Sequence, residues 1–180
     1  MTPPHKSSNF SRRVPDGDTV HRDVCDTCGF VHYENPKVVA GSVVTHDGKL
    51  LLCRRAIPPR HGVWTLPAGY MELNETVEDA AKREAYEEAC ARISINALLA
   101  VYSIPRISQI QVMYRADLID PAIEPGAESL EVALFDWDEI PWDEIAFPSV
   151  HWALTQHRQV RGEKLFAPFS NPEGETGDYP

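Results

Sequence analysis

Three glutamates near the end of a predicted helix are the residues best suited to chemistry: Glu84, Glu87 and Glu88. Spacings of three and four residues place their carboxylates side by side on a helix, where each like-charged pair costs about 0.2–0.5 kcal/mol. The negative end of the helix dipole disfavours them further. Either the run forms a solvent-exposed acidic face, or a hard divalent ion such as Mg²⁺ neutralises it through oxygen ligands.

The helix that must position these glutamates is predicted from Thr76 to about Cys90. The segment contains neither Gly nor Pro, and apolar residues recur at spacings of three and four, which indicates a narrow packing face. Thr76 followed three residues later by Asp79 is typical of a helix N-terminus. The residues of the apolar face are Val77, Ala80, Ala81, Ala85 and Ala89.

Fixed spacing links the glutamates to residues upstream. Gly69 is followed by five residues and Glu75, then by seven residues and the run Arg83-Glu84-Ala85-Tyr86-Glu87-Glu88. This arrangement resembles the signature of the Nudix hydrolases, which cleave a nucleoside diphosphate linked to another group. The six fixed positions would coincide by chance on the order of once in several million windows of average composition.

The resemblance implies a metal site that holds Mg²⁺ or Mn²⁺. Its expected ligands are the backbone carbonyl of Ala68 and the carboxylates of Glu84, Glu87 and Glu88. Glu84 or Glu87 is also expected to act on the attacking water as the catalytic residue. The bound ion would offset charge on the pyrophosphate, so that water attacks phosphorus without a covalent intermediate.

Three further signature residues are expected to support this site. Gly69 permits a sharp backbone turn, and Glu75 pairs with Arg83 to join the loop to the helix. One position departs from the family pattern, because Cys90 stands where the family has glycine. A Cys there must adopt the strained left-handed conformation or let the helix continue.

Residues outside the signature complete the expected site. Arg54, Arg55 and Arg60 lie in or beside the loop before the metal-binding turn and are candidates for binding substrate, with Arg54 as the first choice. A surface arginine with a packed stem is an equal alternative for each of them. The resemblance also implies a second carboxylate beyond the helix, from Glu128 or Glu131, as a base or an extra metal ligand.

The elements around the helix indicate an α+β domain. Apolar β-rich runs predict strands, Asp47-Gly48 predicts a hairpin turn, and an amphipathic segment predicts a closing helix capped by Ser149. The resemblance implies a Nudix α/β/α sandwich with a mixed sheet over residues 37–165, followed by a flexible tail at 166–180. The apolar runs are 38–44, 50–53, 93–102, 110–118 and 132–137, and the closing helix is 150–160.

Residues 1–36 carry a separate pattern around Cys25 and Cys28. The run Cys25-Asp26-Thr27-Cys28-Gly29 resembles half of the zinc ribbon that precedes the catalytic domain in one Nudix subfamily. The upstream Cys pair is missing, and tetrahedral zinc requires four ligands, so Zn²⁺ would have to recruit histidine. The alternatives are a degenerate ribbon held by packing and a disulfide between the two cysteines. The histidines in question are His5, His21 and His32.

Composition indicates a small globular protein of a reducing compartment. Its 180 residues are 43% hydrophobic, enough for one core with a small appendage, and its four cysteines form no paired framework. We find no long apolar run and no signal sequence, so we expect a cytoplasmic protein without membrane association. A net charge of -10 argues against binding to nucleic acid. A homodimer paired through the N-terminal segment would cover its apolar residues.

Segments around the signature resemble Nudix enzymes that split dinucleotide cofactors. The expected substrate is a small nucleotide such as FAD, NADH or ADP-ribose, since the shape of the pocket rather than the signature selects among them. Two other classes of function remain open. One is a catalytically silent Nudix-like regulator that senses a ligand, and the other is a ribbon-bearing interaction module.

Overall fold

The computed structural model describes residues 9–177 and divides the chain into two compact units, Met1–Asn35 and Pro36–Pro180. Three short strands form the first unit: β1 (Phe10–Arg13), β2 (Arg22–Cys25) and β3 (Val31–His32). They pair antiparallel in the order β1-β2-β3. Val24 is the one buried residue in the described part of this unit, so its apolar core is very small.

A mixed sheet forms the centre of the second unit. Its strands are β4 (Lys37–His46), β5 (Lys49–Arg55), β6 (Trp64–Thr65), β7 (Ala68–Tyr70), β8 (Ile93–Ile104), β9 (Gln109–Leu118) and β10 (Ser129–Phe135). The order is β10-β5-β4-β9-β8, with β4 and β9 parallel and the other neighbours antiparallel. The short strands β6 and β7 pair with β5 and β4. The predicted mixed sheet is confirmed.

Two helices, α1 (Val77–Ala89) and α2 (Pro148–Gln159), cover opposite faces of this sheet. Side chains alternate between the two faces of a strand. Val44 therefore packs in the core beneath α1, while its neighbour Val43 packs with Trp152 of α2. This arrangement confirms the α+β sandwich. No helix within residues 9–177 is long and apolar enough to cross a membrane.

The hairpin between β4 and β5 turns at Asp47-Gly48, as predicted. Both residues are left-handed, with φ of 48° and 84°. Two successive left-handed residues are typical of the tight turn that matches the twist of paired strands. Thr45 pairs with Leu50 on either side of the turn.

The start of α2 differs from the prediction. Ser149 lies inside the first turn and is buried, whereas Phe147 occupies the cap position without a side-chain hydrogen bond. Pro148 explains the difference, because its fixed φ and its missing N–H suit the first helical position. The predicted Ser149 cap is therefore wrong.

Part of the segment predicted as a flexible tail is anchored to β8. The N–H of Phe169 donates to the carbonyl of Leu99 at 2.9 Å, and its carbonyl accepts from the N–H of Val101 at 3.0 Å. The side-chain amide of Asn171 continues this pairing with the backbone N–H and carbonyl of Ser103, each at 2.9 Å. Composition alone did not reveal this packing, because the segment forms no helix or long strand of its own.

Candidate active site

The alanine face of α1 brings two carboxylates into the protein interior. Alanine has no side chain beyond Cβ, so the helix lies close to the sheet and its neighbouring residues become buried. Glu84 is 8% exposed and Glu88 is 6% exposed, whereas the side chain of Glu87 is 56% exposed. A solvent-exposed acidic face is therefore excluded for Glu84 and Glu88, since buried carboxylates require a compensating partner.

Gly69 lies directly against the carboxylate of Glu84. It belongs to β7, whose pairing with β4 sets it opposite Ala40. A Cβ at this position would overlap the carboxylate group of Glu84. The glycine therefore makes space for a buried carboxylate. The predicted sharp turn is wrong, since Gly69 lies within a strand and its φ is outside the left-handed region.

Arg83 joins the loop before α1 to two of the glutamates. Its Nε and Nη2 donate to the two carboxylate oxygens of Glu75 at 3.0 and 2.8 Å, and Nη2 also donates to the carbonyl of Tyr70 at 3.0 Å. Its Nη1 donates to Glu84 at 2.7 Å and to Glu87 at 2.8 Å. The hydrogen bonds from Arg83 lower the pKa of Glu75 to about 2. Glu75 is thus ionised at neutral pH and fixes the guanidinium in place.

Glu88 is buried and lacks a partner on one of its oxygens. Its Oε2 has no hydrogen-bond partner among the described residues. Burial, followed by the neighbouring charge of Glu84, raises the pKa of Glu88 to about 8, while Arg55 and the backbone of Ala68 act in the opposite direction. Burial also raises the pKa of Glu84. A cation beside these two carboxylates would favour their ionised forms.

Cys90 ends α1 in the left-handed conformation, with φ of 50° and ψ of 18°. Its N–H donates to the carbonyl of Tyr86 at 2.8 Å and closes the last turn. The helix therefore stops at Ala89, and the alternative of a longer helix is excluded. A residue with a side chain costs about 1–2 kcal/mol in this conformation, so cysteine in place of glycine lowers the free energy of unfolding.

The loop that precedes β10 closes over the C-terminal end of α1. The N–H of Gly126 donates to the carbonyl of Glu88 at 3.0 Å. The approach is so close that a Cβ on Gly126 would overlap the carbonyl oxygen of Glu87. This contact sets Glu128 beside the buried glutamates, where its charge raises the pKa of both Glu84 and Glu88.

Glu131, the other candidate for a second carboxylate, instead faces Arg54. The two side chains approach to 3.6 Å between Arg54 Nη1 and Glu131 Oε2. Arg54 also donates from Nε to the carbonyl of Gly62 at 2.8 Å. Through these contacts Arg54 holds the loop that follows β5 in place.

Arg55, the last residue of β5, acts on the buried Glu88. Its charge lowers the pKa of Glu88, and its Nε donates to the carbonyl of Pro59 at 2.9 Å. Arg60, which the sequence suggested, is exposed on the same loop with a left-handed φ of 64°. The pairing of β5 with β10 places Arg55 opposite Ser129.

The oxygen donors of this site fit a hard divalent cation. Within residues 9–177, no three His, Cys, Asp or Glu side chains are arranged to hold a metal ion as they stand. The guanidinium of Arg83 engages oxygens of Glu84 and Glu87. A cation would compete with Arg83 for these oxygens and would satisfy the unpartnered oxygen of Glu88. Carboxylate oxygens as ligands suit Mg²⁺ or Mn²⁺.

In the first unit, Cys25 and Cys28 are both free thiols, so the alternative of a disulfide is not realised. Hydrogen bonds from the backbone of Cys28 and Thr27 lower the pKa of Cys25. Within residues 9–177 no third potential ligand joins the pair, and His5 lies outside the described residues. The described donors therefore do not fit the four-ligand set of tetrahedral zinc.

Known families match the two units separately. Residues 35–155 match the NUDIX domain, and residues 7–34 match the Nudix N-terminal domain. The chain belongs to the Nudix family of pyrophosphohydrolases. The Nudix match contains β7, α1 and the loop that carries Glu128, so all the buried carboxylates lie within it.

Nudix proteins of archaea and bacteria are similar to this chain. An ADP-ribose pyrophosphatase of Methanocaldococcus jannaschii is 34% identical over 61% of this chain and 67% of its own length. The NAD-capped RNA hydrolase NudC of Stutzerimonas stutzeri is 32% identical over 65% of this chain, which spans only 42% of that relative. A crystal structure of a NUDIX hydrolase from Nitrosomonas europaea is 48% identical with a TM-score of 0.85, covering 90% of this chain and 93% of its own.

Proposed function

We propose that this Nudix protein hydrolyses the pyrophosphate bond of a nucleoside diphosphate linked to another group. In this proposal Mg²⁺ or Mn²⁺ is held by Glu84, Glu87, Glu88 and the carbonyl of Ala68. The observation that carries the proposal is the buried pair Glu84 and Glu88, with one oxygen of Glu88 unpartnered. A bound divalent cation polarises phosphoryl oxygens and lowers the pKa of a bound water.

The residues around the carboxylates divide the remaining tasks. Arg83, held by Glu75, engages oxygens of Glu84 and Glu87 that a bound cation would share. Glu84 and Glu87 would then act on the attacking water. Glu128, whose charge acts on Glu84, is the second carboxylate that would accept the proton of this water. Repulsion among these carboxylates, when they are ionised, favours the binding of a cation between them.

The substrate is ADP-ribose, FAD or NADH in this proposal. The archaeal relative is named for activity on ADP-ribose, and the three molecules share a pyrophosphate that links adenosine to a second group. Another relative is named for NAD-capped RNA. A net charge of -10 disfavours the many phosphates of an RNA chain, so we expect the small dinucleotides to be preferred.

Glutamine substitutions at two glutamates test the metal assignment. We expect Glu87→Gln and Glu88→Gln each to lower kcat/KM by about 100-fold or more, because each removes a charge from the ligand set without changing side-chain size. Glu78→Gln, at an exposed position of the same helix, is the matched control and should retain activity. Product-resolved chromatography with each dinucleotide and with NAD-capped RNA gives both rate and substrate choice.

Thermal unfolding provides a second readout that does not depend on turnover. A ligand that binds only the folded state stabilises it by mass action. Mg²⁺ should therefore raise the Tm of the wild type and of Glu78→Gln, and should raise that of Glu88→Gln much less. Full turnover in both glutamine variants would overturn the ligand assignment. A wild type that binds dinucleotides but hydrolyses none of them would favour the ligand-sensing regulator.

A further inference from the structure

A polar cavity lies on the face of the sheet opposite the glutamates. Its volume is about 290 Å³, and it sits between the β4–β5 turn and the C-terminal end of α2. Leu50 lines it and belongs to the core on the α2 side of the sheet. Along β4, the lining residue Thr45 is four positions from Gly41, which pairs with Ala68 of the candidate active site. That spacing corresponds to about 13 Å of extended strand, so the cavity is separate from the active site.

Three arginines line this cavity in a protein of net charge -10: Arg115, Arg158 and Arg161. Asp117 is the one carboxylate in its lining. The Oδ1 of Asp117 accepts a hydrogen bond from Thr45 at 2.9 Å. Among residues 9–177, no carboxylate oxygen lies within 4.0 Å of these guanidinium groups as an ion pair. The cavity is therefore a local region of positive charge.

Two of these arginines are held in place by groups that carry no full negative charge. Arg115 donates to the carbonyl of Val160 at 3.1 Å and to that of Glu163 at 2.9 Å. The guanidinium of Arg158 lies 4.2 Å from the ring centroid of Trp137. Carbonyl oxygens and an aromatic ring orient a guanidinium without neutralising it. Cations ordered in advance lower the entropic cost of binding an anion.

His157 adds a buried nitrogen without a partner. The residue lines the cavity and is 6% exposed, and its Nδ1 has no hydrogen-bond partner among the described residues. Burial, together with the charges of Arg115 and Arg161, lowers the pKa of His157 to about 4. The neutral imidazole can present an N–H at Nδ1. An acceptor oxygen in the cavity would satisfy this group, which is otherwise a destabilising orphan.

We propose that this cavity is a second ligand site, which binds a small phosphoryl-bearing anion through Arg115, Arg158, Arg161 and His157. Guanidinium groups match the oxygens of a phosphate in a forked geometry. The volume corresponds to roughly ten water molecules, which suffices for a phosphate or a phosphomonoester with part of its hydration. Asp117 in the lining repels excess negative charge and favours a compact anion over a long polyphosphate.

Calorimetric titration of the full chain with sodium phosphate and with ribose 5-phosphate, in buffer free of divalent metal, tests this site. We expect one anion per chain, with the dissociation constant raised about tenfold or more in Arg161→Gln and in Arg158→Gln. Arg92→Gln removes an exposed arginine outside the cavity and should leave the affinity unchanged. Binding of both anions identifies the phosphoryl group itself as the ligand, and binding of ribose 5-phosphate alone identifies a phosphomonoester.

NMR spectroscopy and a variant of the candidate active site locate the bound anion. Addition of the anion should shift the imidazole nitrogen resonances of His157 in NMR spectra, since its Nδ1 gains a partner. Affinity that falls in Arg55→Gln and persists in Arg161→Gln would place the anion at the candidate active site and overturn the proposal. Absence of binding by either anion up to about 10 mM would also overturn it. Neither result bears on pyrophosphate hydrolysis, so the two proposals fail independently.

Discussion

Glu88 shows how the position of a single residue changes its chemistry. Glu78, in the first turn of α1, is exposed, whereas Glu88 is buried and its pKa rises to about 8. The two side chains are identical, so the difference comes from desolvation and from the neighbouring charge of Glu84. At the residue scale, burial converts a common surface group into a candidate metal ligand.

Replacement of Cys90 by glycine should stabilise the protein. Cys90→Gly removes the strain of a residue with a side chain in the left-handed conformation. This strain is larger, by about 0.5–1 kcal/mol, than the backbone entropy that glycine loses on folding. Urea unfolding at constant pH measures the gain. The control is Ala89→Gly in the last helical turn, where φ is right-handed and the same new residue should destabilise by about 1 kcal/mol. Equal destabilisation in both variants would show that the left-handed conformation of Cys90 carries no strain.

The stability of the protein should fall in acid because of His157. Its folded-state pKa of about 4 lies below the ordinary 6.5, so the folded protein binds fewer protons than the unfolded chain between these values. The stabilisation is present above pH 6.5 and is lost as pH falls through 4, by about 3 kcal/mol in all. Urea unfolding from pH 7 to 4, without phosphate, should show a shallower slope in His157→Leu. The exposed control His61→Leu should retain the slope of the wild type.

At the scale of elements, α1 and the loop before β10 form one unit of the site. The loop is held against the last turn of the helix by the hydrogen bond from Gly126 to Glu88. This contact sets the distance between Glu128 and the buried glutamates, although Glu128 is forty residues beyond Glu88 in the chain. The second carboxylate thus depends on a loop geometry that only a glycine permits.

Gly126→Ala should displace this loop. The added Cβ would overlap the carbonyl oxygen of Glu87, and overpacking of this kind costs about 1–3 kcal/mol. We expect a lower free energy of unfolding together with reduced turnover, since Glu128 moves away from the glutamates. Chemical denaturation and kcat measure the two effects. Ala127→Gly in the same loop is the control. Unchanged stability and rate in Gly126→Ala would show that the loop can accommodate a Cβ next to the carbonyl of Glu87.

Sequence periodicity located the elements better than it located their ends. Alanine spacing and the Thr76 cap predicted α1, whose cap bond from the N–H of Asp79 to Thr76 is present at 3.1 Å. The same reasoning misplaced the start of α2, because Pro148 fixes the first turn without any side-chain cap. Caps depend on a few local bonds, whereas periodicity sums over a whole helix.

At the scale of the whole molecule, the two units differ in how much apolar surface they bury. Met1–Asn35 buries only Val24 among its described residues, whereas Pro36–Pro180 contains three clusters of buried residues. Units of this small size seldom hold a stable core by packing alone. The first unit is therefore expected to open more readily than the second.

Hydrogen exchange followed by mass spectrometry should show this difference. Amides of β1 and β2 should exchange at least about 100-fold faster than those of β4 and β9, because local opening requires less free energy where few apolar contacts are lost. Adding Zn²⁺ tests whether Cys25 and Cys28 bind metal, since binding would slow exchange in β2. Equal protection of both units without metal would contradict the expectation.

The sequence by itself determined the family and predicted the helix and the carboxylates of the candidate site, because these depend on fixed local spacing such as that from Gly69 to Glu88. The tertiary structure decided which groups share a site. In the folded protein, Glu128 and Arg55 act on the charge of Glu88. Glu131 instead faces Arg54. Gly69 leaves room for the carboxylate of Glu84 because it has no side chain. These relations arise from strand pairing and close packing between residues distant in the chain, and no local pattern encodes them.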